Sequence, residues 1–173
     1  MPTPERTSLD AIVAAGADLL EDGGQVALTM QRVAERVGVR APSLYKRVRD
    51  RDALLRAVAE RAVDDLAGRL AATDGSLGGL ARAFRRFAHE RPESFRLVFS
   101  AVLPRESLER SAAPVLRATQ QLGADSLDAA RLVTAWAVGF IQMELTGAFQ
   151  LGGDVDRAFD YGIERIAAAL GGR

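Results

Sequence analysis

The apolar residues of the chain recur every three or four positions, which is the spacing of one helix face, and no stretch alternates with the two-residue period of a strand. The first such pattern covers Ser8 to Glu21 and ends at Asp22-Gly23-Gly24. Thr7 or Ser8 is the predicted N-cap, because a hydroxyl oxygen there accepts an otherwise unpaired backbone N–H. The pattern as a whole predicts an all-α fold.

Two short helices are predicted to follow. Thr29 caps the first of them, and Gly38 ends it because glycine adopts the left-handed backbone conformation easily. Pro42 begins the next, since the first helical position leaves an N–H unpaired in any case and proline has none. We expect this third helix to run to about Arg49.

The remaining pattern divides the chain into two regions. Asp50 is predicted to cap a fourth helix that ends near Ala72, and Asp154 to cap the last one. Between these caps lie four further predicted helices, over residues 77–91, 93–101, 113–122 and 126–151, and the last helix covers residues 155–170. We expect a small N-terminal domain over residues 1–55 and a larger helical domain over residues 56–173.

The penultimate predicted helix, residues 126–151, is apolar over most of its circumference, so we expect it to be widely buried. Gly139 and Gly147 lie near one face of it, where the lack of side chains would let a second helix approach. Packing in a dimer is our interpretation. The alternatives are that these glycines line a ligand cavity or are merely tolerated.

Composition excludes several classes of function. With 173 residues, 48% of them hydrophobic and 27% charged, the chain resembles a folded domain rather than a disordered or membrane one. Cysteine is absent, which excludes disulfides, thiolate metal sites and cysteine nucleophiles. His89 is the single histidine, and neither a glycine-rich phosphate loop nor metal-ligand spacing is present. We therefore predict a cytoplasmic protein that is not an enzyme and needs no cofactor or metal.

Charge is unevenly distributed along the chain. The formal net charge is zero, yet eight basic residues stand against three acidic ones between Arg32 and Arg56, an excess of five. A solvated charged face would explain this segment, and so would contact with a polyanion such as DNA.

The segment from Leu28 to Val48 has the pattern of a helix-turn-helix, in which two short helices cross at a tight connector and the second enters the major groove of DNA. Ala34 is small enough for the crossing and Gly38 supplies the turn. Leu44 and Val48 are four residues apart and are predicted to point inward.

The outward positions can be divided by the DNA groups they suit. The leading end of a recognition helix meets base edges, and arginine and glutamine can pair with guanine and adenine. Base contacts are predicted from Gln31, Arg40, Ala41 and Ser43. Phosphate contacts, which position the protein without reading sequence, are predicted from Thr29, Tyr45, Lys46, Arg47 and Arg51. The alternative is that these residues only solvate an ordinary three-helix corner.

Residues 28–55 resemble the DNA-binding domain of the TetR family of regulators. The family pattern is matched by Thr29, Ala34, Gly38, Val39, Pro42, Ser43, Leu44, Tyr45, Arg51, Leu54 and Leu55. The resemblance implies that Tyr45 and Arg51 contact phosphates while Gln31, Arg40, Ala41 and Ser43 face bases. Arg47 stands where the family usually has histidine. The likeness covers about residues 8–72; beyond them Trp136 to Gly139 is similar to TetR C-terminal domains marked by Trp and His-Gly, with Val138 in place of the histidine.

The resemblance implies a homodimeric transcriptional regulator, by default a repressor, that binds double-stranded operator DNA. The last two long helices would pack with those of a partner in a four-helix bundle. The larger domain would bind a small apolar ligand that releases the operator. Its candidate ligand contacts are Phe84, Phe87, Phe95, Phe99, Trp136, Phe140 and Met143, with Gln142, Glu144 or His89 orienting the ligand. These aromatic residues could equally form an ordinary core.

A second function class stays open at this point. A helical protein that binds small molecules or other proteins, without specific DNA binding, would keep the larger domain and have no need of the outward polar residues near Arg40. Here those residues are chemically suited to contact with DNA, which favours the regulator.

Overall fold

The computed structural model describes residues 8–100, 103–123 and 126–172, and these are helical without any strand, which confirms the predicted all-α fold. The helices are α1 (Leu9–Ala27), α2 (Met30–Arg36), α3 (Ala41–Leu44), α4 (Arg51–Ala71), α5 (Leu77–Glu90), α6 (Pro92–Ser100), α7 (Arg105–Gln121), α8 (Ser126–Leu145) and α9 (Val155–Gly171). None of the helices in these ranges has the length and apolarity that crossing a membrane requires.

Four helices begin at the caps that the sequence predicts. In each, the side-chain oxygen of the N-cap accepts the backbone N–H three residues further on. The distances are 3.1 Å for Ser8, 3.2 Å for Thr29, 2.7 Å for Asp50 and 3.0 Å for Asp154. Each bond satisfies one of the N–H groups that a helix start leaves without an intrahelical partner. Thr7, the alternative first cap, lies outside the described residues.

The predicted end of α1 at Asp22-Gly23-Gly24 coincides with a kink, whereas the predicted end of α3 is wrong. Gly23 and Gly24 have non-helical backbone angles, with a φ of +67° at Gly24, and a second short helical stretch continues the element to Ala27. Helix α3 ends at Leu44 rather than near Arg49, because the chain tightens into a turn in which the amide of Arg47 donates to the carbonyl of Leu44 at 2.8 Å.

The prediction for α7 is also wrong. It begins at Arg105, eight residues before the predicted start at residue 113, and Pro114 lies inside it. A proline in a helix interior removes one backbone bond, but the buried Pro114 is accommodated here. The predicted end of α6 at Ala101 lies outside the described residues.

Helix α8 ends at Leu145, six residues before the predicted end at Leu151. Gly147 has a φ of +68°, and its amide donates to the carbonyl of Glu144 at 3.0 Å. The amide of Ala148 donates to the carbonyl of Met143 at 2.8 Å. This pair of bonds is a Schellman motif. Gly147 therefore terminates α8, and the expectation that it lies on a helical packing face beside Gly139 is wrong.

The chain divides into two compact units that differ from a simple split of the sequence. The first comprises Met1–Val63 and Arg91–Pro104, so it includes α6; the second comprises Asp64–Glu90 and Arg105–Arg173. Helix α4 contributes residues to both. The functional division between residues 55 and 56 stays a prediction.

The core of the first unit joins α1, α2, α3, α4 and α6. Its fully buried side chains include Ile12, Leu20, Leu28, Val33, Leu44, Leu54, Val58 and Phe95. Gly16 lets α1 approach α4, because a Cβ there would lie 3.0 Å from Cγ2 of Val58.

In the second unit, α8 and α9 share an aromatic cluster. The ring of Trp136 lies 5.6 Å from that of Phe140 and 5.2 Å from that of Phe159. Gly162 is the point of closest approach, since a Cβ there would lie only 2.2 Å from Cζ2 of Trp136. The two helices can pack at this distance only with glycine at residue 162.

We predict that Gly162→Ala destabilises the protein by roughly 1–3 kcal/mol, the usual cost of overpacking a core, despite the higher helix propensity of alanine. The free energy of unfolding in urea measures this. Gly68→Ala is the matched control, because Gly68 is helical and a Cβ there meets nothing within 4 Å. It should raise stability by about 0.5–1 kcal/mol. Equal stability gains for both variants would contradict the packing argument.

Candidate nucleic-acid interface

The connector between α2 and α3 is a second Schellman motif. Gly38 has a φ of +72°, its amide donates to the carbonyl of Glu35 at 3.2 Å, and the amide of Val39 donates to that of Ala34 at 2.9 Å. Ala34 itself is fully buried where α2 and α3 pack together. The predicted helix-turn-helix is confirmed, with glycine at the position that demands a left-handed backbone.

Helix α3 is anchored from behind and open in front. Leu44 is 0% exposed and Val48 is 5% exposed, so the predicted inward pair is confirmed. The opposite side carries the predicted DNA contacts: Arg40, Tyr45, Lys46 and Arg47 are exposed, and Ala41 and Ser43 are half-buried. The structure thus brings six of the nine predicted contact residues together on and beside one short helix.

The two predicted contacts near the start of α2 are partly engaged within the protein. The Nε2 group of Gln31 donates one of its two N–H groups to Oε1 of Glu35 at 2.7 Å, which leaves one N–H and the side-chain carbonyl to pair with a base. The Oγ1 atom of Thr29 accepts the amide of Arg32 at 3.2 Å, which leaves its hydroxyl proton to donate elsewhere.

Arg51 has a different environment from the rest of the set. Its guanidinium is half-buried, and Nε donates to the carbonyl of Leu28 at 2.8 Å while Nη2 donates to that of Gln25 at 2.5 Å. Sequence reasoning missed this role because backbone carbonyls carry no sequence signal. The loop that joins α1 to α2 is consequently tied to the first residue of α4.

Asp50 places a negative charge beside this basic segment. Its pKa is lowered from the ordinary value, first by the Ala53 amide that its carboxylate accepts and then by the side chain of Arg49 at 2.7 Å. The same ion pair raises the pKa of Arg49. The carboxylate therefore stays ionised as the cap of α4.

The predicted ligand contacts are distributed over both units. Phe95 and Phe99 belong to the first unit and pack edge to face at 5.3 Å, whereas the others belong to the second. Phe87 is fully buried and Met143 is exposed. A groove of about 510 Å³ follows the end of α8 and the start of α9, and Phe140 lines it together with Phe149 and Tyr161, which sequence reasoning did not propose.

Two of the three polar groups that were predicted to orient a ligand, Glu144 and His89, take part in an ion network. Arg85 pairs with Glu144 and, at 2.6 Å, with Asp156, and its guanidinium lies 5.0 Å from the ring centre of Phe159. Nε2 of His89 lies 3.1 Å from the same Glu144 carboxylate. The hydrogen bonds from Arg85 are the main reason that the pKa of Glu144 is lowered. This network joins α5 to α8 and α9.

Fold and surface together define a helix-turn-helix DNA-binding regulator. Residues 12–58 match the family model for bacterial regulatory proteins of the tetR family, and residues 77–166 match the model for the tetracyclin repressor-like C-terminal domain. The chain belongs to the TetR family and is a DNA-binding transcriptional regulator.

Individual relatives agree with this assignment. The chain is 29% identical to the uncharacterized HTH-type transcriptional regulator Rv0681 of Mycobacterium tuberculosis, over 96% of this chain and 83% of that one. A TetR variant from Acinetobacter baumannii AYE, solved in complex with minocycline, has 25% identity and a TM-score of 0.71 over 95% of this chain and 96% of its own. A Rhodococcus sp. RHA1 protein of unknown function has a TM-score of 0.81 over 99% of this chain and 100% of its own. Its sequence identity is 21%, so it shows the fold alone.

We predict that the Asp50 cap stabilises the protein above about pH 4 and ceases to do so in acid. Because the pKa of Asp50 is lower when folded than its unfolded value of about 3.9, its contribution is complete above that value and disappears as the pH falls through the folded pKa. Urea unfolding of the wild type and Asp50→Asn, whose amide does not titrate, should show a stability difference at pH 7 that shrinks at pH 3. A difference that does not vary with pH would contradict the assignment.

Proposed function

We propose that the protein is a homodimeric repressor that binds a near-palindromic operator through α3 and leaves it when a small, mainly apolar ligand binds the second unit. The observation that carries this proposal is the set of exposed polar side chains on either side of α3, namely Arg40, Tyr45, Lys46 and Arg47, backed by the buried Leu44 and Val48. A short helix held in this way can enter the major groove without moving the rest of its unit.

Within this surface we assign two kinds of contact. Gln31, Arg40, Ala41 and Ser43 contact base edges, and Thr29, Tyr45, Lys46 and Arg47 contact phosphates. Arg40 is the N-cap of α3 and is exposed, so its guanidinium lies at the end of the helix that enters the groove first. Arginine there suits a bidentate bond to guanine.

Dimerisation rests on the outer faces of α8 and α9. Leu132 is 53% exposed, Met143 47% and Tyr161 65%, although each belongs to a largely apolar helix. Exposed Ala135 and Gly139 lie between the first two on α8, and a Cβ at Gly139 would meet nothing within 4 Å. An apolar face with small residues along it is what a second copy can cover. Two half-sites about 34 Å apart require such a dimer.

The ligand proposal rests on the aromatic groups of the second unit. The groove beside Phe140 has about 510 Å³, within the range of roughly 300–1,000 Å³ that is usual for small-molecule sites. The minocycline complex of the A. baumannii relative supports a small-molecule ligand for this chain as well. Trp136 and Phe140 are two predicted contacts of this unit, and their rings lie 5.6 Å apart; contacts from Phe84, Phe87, Phe95, Phe99 and Met143 stay a prediction.

Release then follows from a shift between two states. A ligand that binds one arrangement of the second unit better than another favours a dimer whose recognition helices have the wrong spacing. Helix α4 is the proposed connector, since it runs without a break from Arg51 to Ala71 and contributes residues to both units.

We predict that base and phosphate contacts respond differently to mutation. DNA fragments retained by the purified protein from a random pool are sequenced to obtain the operator, and binding is then measured on it and on a scrambled duplex. Arg40→Ala should weaken operator binding by roughly tenfold or more and scrambled binding little, because a bidentate base contact is worth about 1–3 kcal/mol. Lys46→Ala should weaken both equally and lower the slope of log K against log salt by about 0.9.

Equal losses on both duplexes for Arg40→Ala would contradict its assignment to base contact. If the wild type retained no consensus sequence at all, the operator proposal itself would fail, and a helical binding protein without specific DNA binding would replace it.

A separate prediction concerns the dimer. Leu132→Glu places a charge in the proposed interface and should convert the dimer to a monomer in analytical ultracentrifugation. Leu108→Glu is the matched control, because Leu108 on α7 is 49% exposed and lies outside the proposed interface. It should leave the dimer intact. A dimer that survives Leu132→Glu, or a monomeric wild type, would show that α8 does not form the interface.

A further inference from the structure

The end of α1 contains two backbone carbonyls that its own helix does not satisfy. The amide of Thr29, which would complete a helical bond to Gln25, donates instead to the carbonyl of Ala27 at 3.1 Å. Leu28 is the C-cap of α1 and precedes the N-cap of α2, so its carbonyl belongs to neither helical ladder. The carbonyl of the buried Leu28 needs another donor, since an unpaired carbonyl is costly to bury, and that of the exposed Gln25 is open to one.

Arg51 supplies both donors with one planar group. Nε and Nη2 lie on the same edge of the guanidinium and donate to the carbonyls of Leu28 and Gln25. A fixed fork of this kind can hold two acceptors at once, which a lysine ammonium on its flexible stem does not do with the same geometry. The contact therefore depends on arginine geometry as well as on its charge.

The position of these carbonyls determines what the contact controls. Leu28 is fully buried and adjoins Thr29, whose side chain begins α2. Helix α2 leads through Gly38 directly into α3. Fixing Leu28 to the first residue of α4 thereby fixes the start of the helix-turn-helix relative to the helix behind it.

We propose that Arg51 is a positioning residue for operator recognition: it orients α2 and α3 on α4 and does not neutralise a DNA phosphate. This rests on the proposed function and changes the role that the sequence resemblance implies for Arg51. The guanidinium is directed at the protein backbone, and the exposed cations of the surface, Arg40 and Lys46 among them, are left to meet DNA.

The two roles differ in what they do to salt dependence and to specificity. Loss of a phosphate contact lowers the slope of log K against log salt by about 0.9 on any duplex, without changing the preference for the operator. Loss of orientation leaves the slope on scrambled DNA unchanged and lowers the ratio of operator to scrambled affinity, because base contacts need exact placement.

The test uses Arg51→Met and Arg51→Lys in the full-length protein, at a temperature where circular dichroism shows each variant folded. We expect both to lower the operator-to-scrambled affinity ratio, by about tenfold for Arg51→Met, with the wild-type salt slope on scrambled DNA. Arg56→Met is the matched control, since it removes the same charge from an exposed position of α4. It should keep the wild-type ratio.

Three results would overturn the proposal. One is a salt slope lower by about 0.9 for Arg51→Met, which would mark a phosphate contact. Another is an unchanged affinity ratio in the folded Arg51→Met protein, which would leave Arg51 a merely structural role. If Arg51→Met does not fold, the third result is a wild-type salt slope together with a wild-type affinity ratio for Arg51→Lys, which would contradict the proposal. Failure of the wild type to prefer any operator would instead refute the proposed function.

Discussion

A helix of four residues has no stability of its own in water, and α3 has only four. It keeps its shape because Leu44 and, one turn later, Val48 are buried in the core of the first unit. Their burial offsets the conformational entropy that α3 loses when it becomes ordered. The outer side chains of α3 are thereby presented on a rigid support. The proposed recognition of DNA depends on that burial, since a mobile α3 would have no defined surface to place in a groove.

The orientation of α3 follows from bonds that lie outside it. Thr29 caps α2 at one end, Gly38 turns the chain at the other, and Arg51 ties the preceding loop to α4. Each of these groups satisfies backbone atoms that a helix end leaves open. The proposed recognition of DNA thus depends on hydrogen bonds to backbone groups at helix ends, which also stabilise any small helical domain.

The second unit combines a closely packed interior with exposed apolar side chains on its surface. Gly162 and Trp136 bring α8 and α9 together, and Arg85 joins both to α5 through Glu144, Asp156 and the ring of Phe159. Leu132 and Tyr161 on the same two helices remain exposed. A rigid pair of helices with an uncovered apolar face is suited to hold two recognition units at a constant spacing.

Local chemistry was sufficient to determine part of this protein from its sequence. Helix starts at Ser8, Thr29, Asp50 and Asp154, the turn at Gly38 and the inward pair Leu44 and Val48 depend on groups within four residues of each other, so the sequence shows them directly. Only the tertiary structure decided that α6 joins the first unit, that α7 continues through Pro114 and that Arg51 meets the carbonyls of Gln25 and Leu28. Those outcomes depend on packing and on backbone atoms distant in the chain, which leave no periodic signal in the order of side chains.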